Sequence, residues 1–251
     1  MALLRGVVRL EFEPFLSVCF NALRSSFMMY RQLTSAKRSS LRNVVLATTS
    51  LSIWVMASSV ALAGAPATGS LPGNFTTNVA GTTYTGTGST ATIAIGGTTA
   101  PTMPSVIQFG GTALGNSVTS VDTNSTTGAA LAAASNPGFS IGSGATLNIT
   151  NGAATEPTLV NDESGNPSQI YGALNASALG GPLFVANANG VVVGASGTIT
   201  APSTGVGLLG YAADSGSFAT VGTLTVNSTT VNGGDVTVTA GSTVSGGTLL
   251  M

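Results

Sequence analysis

Short stretches in which apolar and polar residues alternate recur along the chain from about Pro66 onward. Successive side chains of a β-strand point to opposite faces, so this period of two predicts half-buried strands. Valine, isoleucine and threonine suit such strands, whereas no long helical periodicity is present and Gly or Pro interrupts the chain often. We predict an all-β fold with strands in ATIAI (91–95), SVIQFG (105–110), GATLNIT (144–150), PLFVA (182–186), GVVVG (190–194), GTITA (197–201), GTLTV (222–226), DVTVTA (235–240) and GGTLLM (246–251).

The close spacing of these segments favours one all-β arrangement over the others. Three strands are predicted between Gly180 and Thr200, with corners of only a few residues. Sandwich strands are usually longer, with turns about every 8–12 residues. Short, close strands suit a parallel β-helix, in which the chain turns after each strand and pairs with the coils above and below. GTIT begins at Gly197 and GTLT at Gly222, but later segments follow at shorter steps, so we expect irregular coils.

The charges of the chain are unevenly distributed. All seven Lys and Arg residues lie within the first 42 positions, and residues 43–251 contain no Lys, Arg or His. A segment without cations cannot neutralise phosphates, which argues against nucleic-acid binding and against basic contacts with anionic membranes. The only cysteine is Cys19, so the rest of the chain has neither disulfides nor zinc sites of the Cys/His kind. We expect no metal and no cofactor.

Residues 1–65 are predicted to form a leader. A basic cluster at 37–42 precedes the apolar segment VVLATTSLSIWVMASSVALA at 44–63, which ends in small residues. This order is the signature of a secretory signal peptide, here with a helical apolar segment and cleavage at Ala63 or Ala65. A transmembrane helix of about 20 residues is the alternative. The Thr and Ser content and the cleavage-like exit favour the signal.

The sequence leaves the true start of the protein open. The signal has ordinary length if translation starts at Met28 or Met29, and it is extended if translation starts at Met1. At the other end, Leu249-Leu250-Met251 lie inside a strand-like segment. We therefore expect residues 66–251 to be the first part of a longer solenoid.

Two motifs within residues 165–201 carry a family resemblance. Asn166-Pro167-Ser168-Gln169-Ile170 opens one predicted coil, and Asn187-Ala188-Asn189-Gly190 follows a predicted strand. At this spacing they resemble the Asn-Pro-Ser-[Gln/Arg]-[Ile/Leu] and Asn-Pro-Asn-Gly motifs of the N-terminal secretion domain of filamentous-haemagglutinin-like proteins, the exported partners in bacterial two-partner secretion. NPGFSIGSGATLNI (136–149) is similar to another strand motif of that family. The resemblance covers roughly residues 105–215.

The resemblance implies a right-handed β-helix with a capping β segment at its start. It implies that an outer-membrane transporter with periplasmic docking domains recognises the unfolded chain and exports it to the cell surface or the medium. There each folded coil templates the next. An adhesin with host or cell-surface receptors is implied by analogy. Transporter recognition is expected at Asn166, Pro167, Ser168, Gln169, Ile170, Asn187, Asn189 and Gly190.

The sequence departs from the family pattern in two places. Ala188 stands where the family has proline, so the φ angle of this corner is less pre-set. The Asn-Pro-Asn-Leu motif of the family is absent. We expect transporter recognition to differ in detail. The alternative is a purely structural corner, because Asn187, Asn189 and Gly190 can form a tight turn without any partner.

A polysaccharide-active β-helix enzyme is an alternative function. It would need paired carboxylates for acid and base catalysis. Asp162 and Glu163 are adjacent and face opposite sides of a strand, and the other carboxylates occupy turn-like segments. Without His, Lys, Arg or Cys, few residues could carry catalysis, so we do not expect an enzyme. The carboxylates beyond residue 43 are Asp122, Glu156, Asp162, Glu163, Asp214 and Asp235.

Two further alternatives remain open. A surface-binding or ice-binding solenoid would align Thr-x-Thr pairs, such as Thr223-Leu224-Thr225 and Thr237-Val238-Thr239, on one flat face coil after coil. The irregular spacing of the segments argues against such alignment. A single-chain autotransporter passenger would be followed by a barrel on the same chain.

Overall fold

The computed structural model describes residues 64–97, 99–225 and 233–251. These residues belong to a compact unit that spans Ala61–Met251. The expected signal segment at 44–63, with cleavage at Ala63, lies outside the described residues, whereas Ala65 is exposed. No helix within the described ranges has the length and apolar character that a membrane span requires.

The regular secondary structure of the described residues is almost entirely β-strand, with one short helix, α1 (Ser215–Val221). The strands are β1 (Phe75–Thr77), β2 (Thr83–Thr87), β3 (Thr90–Ala94), β4 (Ser105–Gly110), β5 (Asn116–Val118), β6 (Ser120–Asp122), β7 (Ser140–Ile141), β8 (Thr146–Thr150), β9 (Thr158–Glu163), β10 (Ser168–Ile170), β11 (Ala173–Asn175), β12 (Leu183–Ala186), β13 (Val191–Val193), β14 (Thr198–Thr200), β15 (Val206–Leu209), β16 (Val236–Val238), β17 (Thr243–Ser245) and β18 (Leu249–Leu250). The prediction of a β-rich fold is confirmed.

The strands pair into three sheets. The first sheet has the order β18-β15-β12-β9-β4-β1-β5, the second β16-β13-β10-β7, and the third β17-β14-β11-β8-β3-β2-β6. From β7 onward the chain visits the second, third and first sheets in rotation, and from β10 onward each strand pairs in parallel with the strand one rotation earlier. Parallel, in-register stacking of this kind is compatible with a β-solenoid.

The start of the described chain is built differently. β1 pairs antiparallel with both β4 and β5 at one end of the first sheet, and β2 pairs antiparallel with β3 in the third. The rings of Phe75, Phe109 and Phe139 pack in series behind these strands, with centroids 5.5 and 5.7 Å apart. This aromatic column joins the antiparallel strands to the parallel ones that follow.

The core lies between the three sheets and consists of aliphatic residues stacked in register. On the third sheet, Leu147, Leu174 and Ile199 occupy neighbouring rungs and are fully or almost fully buried. Burying one such side chain contributes roughly 1.5–3 kcal/mol relative to leaving it exposed. The stacking weakens toward β16, where Val236 is half-buried and Val238 is 40 % exposed. The predicted two-sided strand at 235–239 therefore has only one partly covered face.

β4 and β9, in the middle of the first sheet, are buried on both faces because α1 covers the outer side there. Phe218 of α1 is fully buried and packs edge-on against Phe184 of β12, at a centroid distance of 6.1 Å. Val106 and Leu159 complete this second apolar cluster. Burial on both faces explains the near-continuous apolar runs in these strands, which parallel sheets typically show.

The all-β prediction does not include the short helix at residues 215–221. Asp214 caps α1 by accepting hydrogen bonds from the backbone N and the hydroxyl of Ser217, at 3.0 and 2.8 Å. These bonds hold the pKa of Asp214 below its ordinary value. The helix ends at Gly222, whose φ of 68° is the left-handed conformation that glycine accepts readily. The strand predicted at 222–226 is therefore wrong, since residues 222–225 lie outside any strand.

Candidate functional site

The structure brings the two predicted motifs together. Ser168–Ile170 form β10, and the Asn187–Gly190 corner leads from β12 into β13, which pairs with β10 one rotation later. Asn187 is completely buried. Its Nδ2 donates hydrogen bonds to the Asn166 carbonyl oxygen at 2.8 Å and to Ser168 Oγ at 3.0 Å. One side chain thus fastens the second motif to the first across successive coils.

The corner itself is an Asx-turn. Asn187 Oδ1 accepts a hydrogen bond from the Asn189 backbone N at 2.7 Å, and the Asn187 carbonyl oxygen accepts one from Gly190 N at 3.0 Å. Gly190 has a φ of 104°, and a Cβ on it would lie 2.7 Å from the Asp235 carbonyl oxygen. Only glycine fits this position. The corner therefore forms with alanine, and without proline, at position 188.

Asp162 occupies the equivalent corner of the preceding coil. Asn161 pairs with Ala186, so the next residues, Asp162 and Asn187, stand at matching positions. The Asp162 carboxylate is 1 % exposed and accepts hydrogen bonds from Phe139 N at 2.9 Å and Ser168 Oγ at 2.8 Å. It also accepts one from Ser164 N at 3.0 Å, which forms a second Asx-turn. Ser168 consequently links the two corners into one polar ladder.

Sequence reasoning did not assign this role to Asp162. The prediction that Asp162 and Glu163 face opposite sides of a strand agrees with their burial, since Asp162 is inside and Glu163 is exposed. The Asx-turn to Ser164 N is a local contact, but the other two partners, Phe139 N and Ser168 Oγ, lie outside that turn, and no local pattern identifies them. The one available signal is that an acidic or amide residue follows both apolar strands, TLVN and LFVA.

The remaining motif residues lie beside the ladder. Gln169 is buried, and its backbone N donates to Ser140 Oγ at 3.2 Å, while Ile170 points into the core. Asn189 is the member of the corner whose side chain is exposed. A recess of about 180 Å³ brings Asn166, Pro167 and Gln169 next to residues of the preceding coil; its full lining is Gly64, Pro66, Asn136, Pro137, Ser140, Asn166, Pro167 and Gln169.

The outer face of the third sheet carries aligned polar residues. The register places Thr90, Thr146, Ala173, Thr198 and Thr243 in one column. A second column, two residues further along each strand, consists of Thr92, Asn148, Asn175, Thr200 and Ser245. Asn175 Nδ2 donates to Asn148 Oδ1 at 3.1 Å. Such a face was not predicted, because the Thr-x-Thr pairs singled out in the sequence lie elsewhere: residues 223–225 and Thr239 are outside the strands.

The carboxylates have separate partners. Asp162 belongs to the ladder, Asp214 caps α1, and Asp122 accepts from the Asn124 backbone N at 2.9 Å. Within the described ranges, no three residues of the His, Cys, Asp and Glu types are placed to hold a metal ion.

Comparison of the chain with protein-family models, with curated proteins and with solved structures finds no match.

Proposed function

We propose that this chain is an exported bacterial protein whose β-rich unit directs two-partner secretion through an outer-membrane transporter and nucleates folding outside the cell. The observation that carries the proposal is the contact between the two motifs. Asn187 bonds Asn166 and Ser168, which lie 21 and 19 residues earlier, across neighbouring coils. Two sequence elements that resemble one family thus form one structural unit.

The finer fold belongs to the same proposal. The rotation of the chain through three sheets suits a right-handed parallel β-helix, and the antiparallel strands β1, β2 and β5 suit a cap at its first coil. Each coil offers unpaired backbone groups to the next, so folding can propagate from the capped end. Folding in that direction opposes back-sliding through a transporter. An adhesive role at the cell surface, with host or cell-surface receptors, is the further part of the proposal.

Within the corner, the side chain that holds the fold is not the one we assign to recognition. Asn187 is buried and its side chain makes three hydrogen bonds, whereas the exposed Asn189 contributes to the corner through its backbone N. Because the transporter reads the unfolded chain, Asn189 can serve recognition without serving the fold. Alanine at position 189 keeps the backbone N and with it the Asx-turn.

Asn189→Ala should therefore reduce export while leaving the folded protein intact. We expect the secreted fraction to fall about tenfold, the effect of losing about 1.4 kcal/mol of recognition. The measurement compares medium and periplasm by immunoblot in a Gram-negative host that also expresses a two-partner transporter from the same genome. Circular dichroism of the refolded variant checks the fold.

Asn124→Ala is the matched control, because Asn124 is an exposed loop asparagine far from the corner in sequence. It should be exported like the wild type. A host without the transporter should retain all forms in the periplasm. Wild-type secretion of Asn189→Ala would remove the corner from recognition, and secretion without the transporter would refute two-partner export.

A second candidate function is binding to a regularly repeating surface such as ice. The columns on the third sheet provide the alignment that this function requires. Neighbouring strands lie about 4.8 Å apart and alternate residues about 6.6 Å apart, so the hydroxyls form a two-dimensional array. Threonine is stiff at χ1, which fixes the hydroxyl positions. Ala173, Asn148 and Asn175 interrupt the threonines in mid-sheet.

Thr198→Lys should abolish ice binding if this face carries it. Thr198 is exposed in β14, so a long charged side chain there disrupts the hydroxyl array without entering the core. Inhibition of ice recrystallisation by the purified chain is the measurement, and Thr220→Lys on the exposed side of α1 is the control, expected to retain activity. A wild-type chain that leaves ice growth unchanged refutes this candidate.

A further inference from the structure

Two buried hydroxyl groups lie side by side where the central strands of the first sheet begin. Ser105 opens β4, Thr158 opens β9, and the two residues pair in register. They are 1 % and 0 % exposed. Neither hydroxyl oxygen has a hydrogen-bond partner among the described residues. Buried polar groups of native proteins are almost always hydrogen-bonded, so an unpartnered pair indicates a bound water or ion.

Both hydroxyls point into the core. Successive side chains of a strand alternate between its two faces. Ile107 and Val160, two residues further along each strand, belong to the core between the sheets. The intervening Val106 and Leu159 belong to the second apolar cluster, under α1. The first residue of each strand therefore faces the interior.

Asn151 supplies a third buried oxygen at the same corner. It directly follows β8, the strand of the third sheet from which the chain turns into β9. Its side chain is completely buried, and Nδ2 donates to the Ala154 carbonyl oxygen at 3.0 Å. Oδ1 has no hydrogen-bond partner within the described residues. Three of the four buried side-chain oxygens that lack a partner in the described ranges thus belong to this corner.

The dimensions of the corner suit one small ligand. Leu183 occupies the same column in the coil after Thr158 and is fully buried. Ser105, in the coil before, has a much shorter side chain, so the column fills less of the interior there. In-register residues of neighbouring strands lie about 4.8 Å apart. One water about 2.8 Å from each hydroxyl oxygen spans that distance.

We propose that Ser105, Asn151 and Thr158 bind one internal water molecule. The water donates a hydrogen to Asn151 Oδ1, which can only accept, and it completes the hydrogen bonds of the two hydroxyls. Internal waters typically make about three hydrogen bonds to groups of this kind. A divalent cation fits less well, because the three groups are uncharged and such ions take about six or more oxygen ligands.

The water site lies at the joint between the two parts of the fold. β1 pairs antiparallel with β4, whereas β4 pairs in parallel with β9. The water bonds to the first residues of β4 and β9 and so stabilises the rung at which the antiparallel start meets the parallel coils. This role does not depend on the route of export.

Thr158→Val tests the site, because a bound water and a dry hydroxyl predict opposite signs. Valine keeps the branched shape and removes the hydroxyl. With water bound, the variant takes away one of its hydrogen bonds, so the equilibrium constant for unfolding should rise about tenfold. Without water, the variant removes a buried group that has no partner, and the constant should fall. Urea unfolding of the purified chain measures the constant, and a fall overturns the proposal.

A double-mutant cycle shows whether the two hydroxyls share one ligand. Ser105→Ala should have a smaller effect in the Thr158→Val background than in the wild type, since the first substitution has already weakened the site. Thr126→Val, in an exposed loop, is the control and should change the unfolding constant about twofold or less. Additive effects of Ser105→Ala and Thr158→Val would show two independent hydroxyls and refute the shared water.

A crystal structure of the full chain locates the ligand directly. We expect a single peak of electron density about 2.7–3.0 Å from Ser105 Oγ, Asn151 Oδ1 and Thr158 Oγ1. A peak surrounded by six or more oxygens at about 2.3–2.6 Å would identify a calcium ion instead. Hydroxyls bonded to backbone carbonyl oxygens, with no peak between them, would leave no water site. Either of these two results overturns the proposal.

Discussion

Asp162→Ala should lower the free energy of unfolding by about 3–5 kcal/mol, because it leaves buried hydrogen-bond donors without an acceptor. The carboxylate accepts from Phe139 N, Ser164 N and Ser168 Oγ, and it is almost completely buried. Its loss detaches the second sheet from the corner of the preceding coil. Urea unfolding of the purified chain, followed by far-UV circular dichroism, measures the change.

Two variants serve as comparisons for this result. Asp162→Asn keeps one acceptor oxygen but turns an amide group toward a donor, so it should lower the free energy of unfolding by less than Asp162→Ala does. Asp122→Ala removes a less buried carboxylate that accepts from the Asn124 backbone N. Its loss should stay below about 1 kcal/mol, as for most surface substitutions. Equal stability of Asp162→Ala and wild type would contradict the ladder.

Raising the pH from about 10 to about 12 should lower the free energy of unfolding by about 1.4 kcal/mol per pH unit. Burial raises the pKa of Tyr84 well above its ordinary value, and its hydroxyl donates to the Pro72 carbonyl oxygen at 2.8 Å. Above the ordinary tyrosine pKa, the unfolded chain loses a proton that the folded chain keeps. The stabilisation is complete below about pH 10 and is lost as the pH rises.

Tyr84→Phe should remove this alkaline slope. It should also lower the stability at pH 7 by about 1 kcal/mol, since the Pro72 carbonyl loses its donor. Urea unfolding at a series of pH values measures both effects. Beyond residue 43 no Lys, Arg, His or Cys contributes to titration in this range. Tyr211→Phe is the control because Tyr211 is 44 % exposed, and it should keep the slope. An unchanged slope in Tyr84→Phe would assign the alkaline loss to another group.

The sequence predicts strands by two local patterns. Burial alternates in β3 and β8, which lie in the segments predicted at 91–95 and 144–150, whereas β4 matches the continuous run SVIQFG and is buried at five of six residues. Strand pairing cannot be predicted in the same way, since it depends on contacts between residues that are distant in the sequence. GTIT and GTLT are similar in sequence, yet Thr198 of the first pairs with Thr243 of β17 and not with the second. GTLT instead follows the C-terminal end of α1.

The helix and the polar clusters show a different limit. Asp214 and Gly222 are ordinary helix-capping residues, but a helix of seven residues is marginal by itself. Its burial against Phe184 stabilises it, and no local pattern reveals that contact. In the candidate site, the two motifs on which the sequence-based resemblance depends contain Asn187 and Ser168. The buried carboxylate between their coils is recognisable only once β9 and β10 are placed in space.

The corners between the first and second sheets differ greatly in length. Four residues connect β12 to β13, whereas residues 210–235 connect β15 to β16 and include α1. The length of the connection does not change the strand pairing. Val191–Val193 pair in register with Ser168–Ile170 on one side and with Val236–Val238 on the other. This edge is therefore a natural place for new sequence to be inserted during evolution, since added residues alter the outer surface and leave the stacked framework intact.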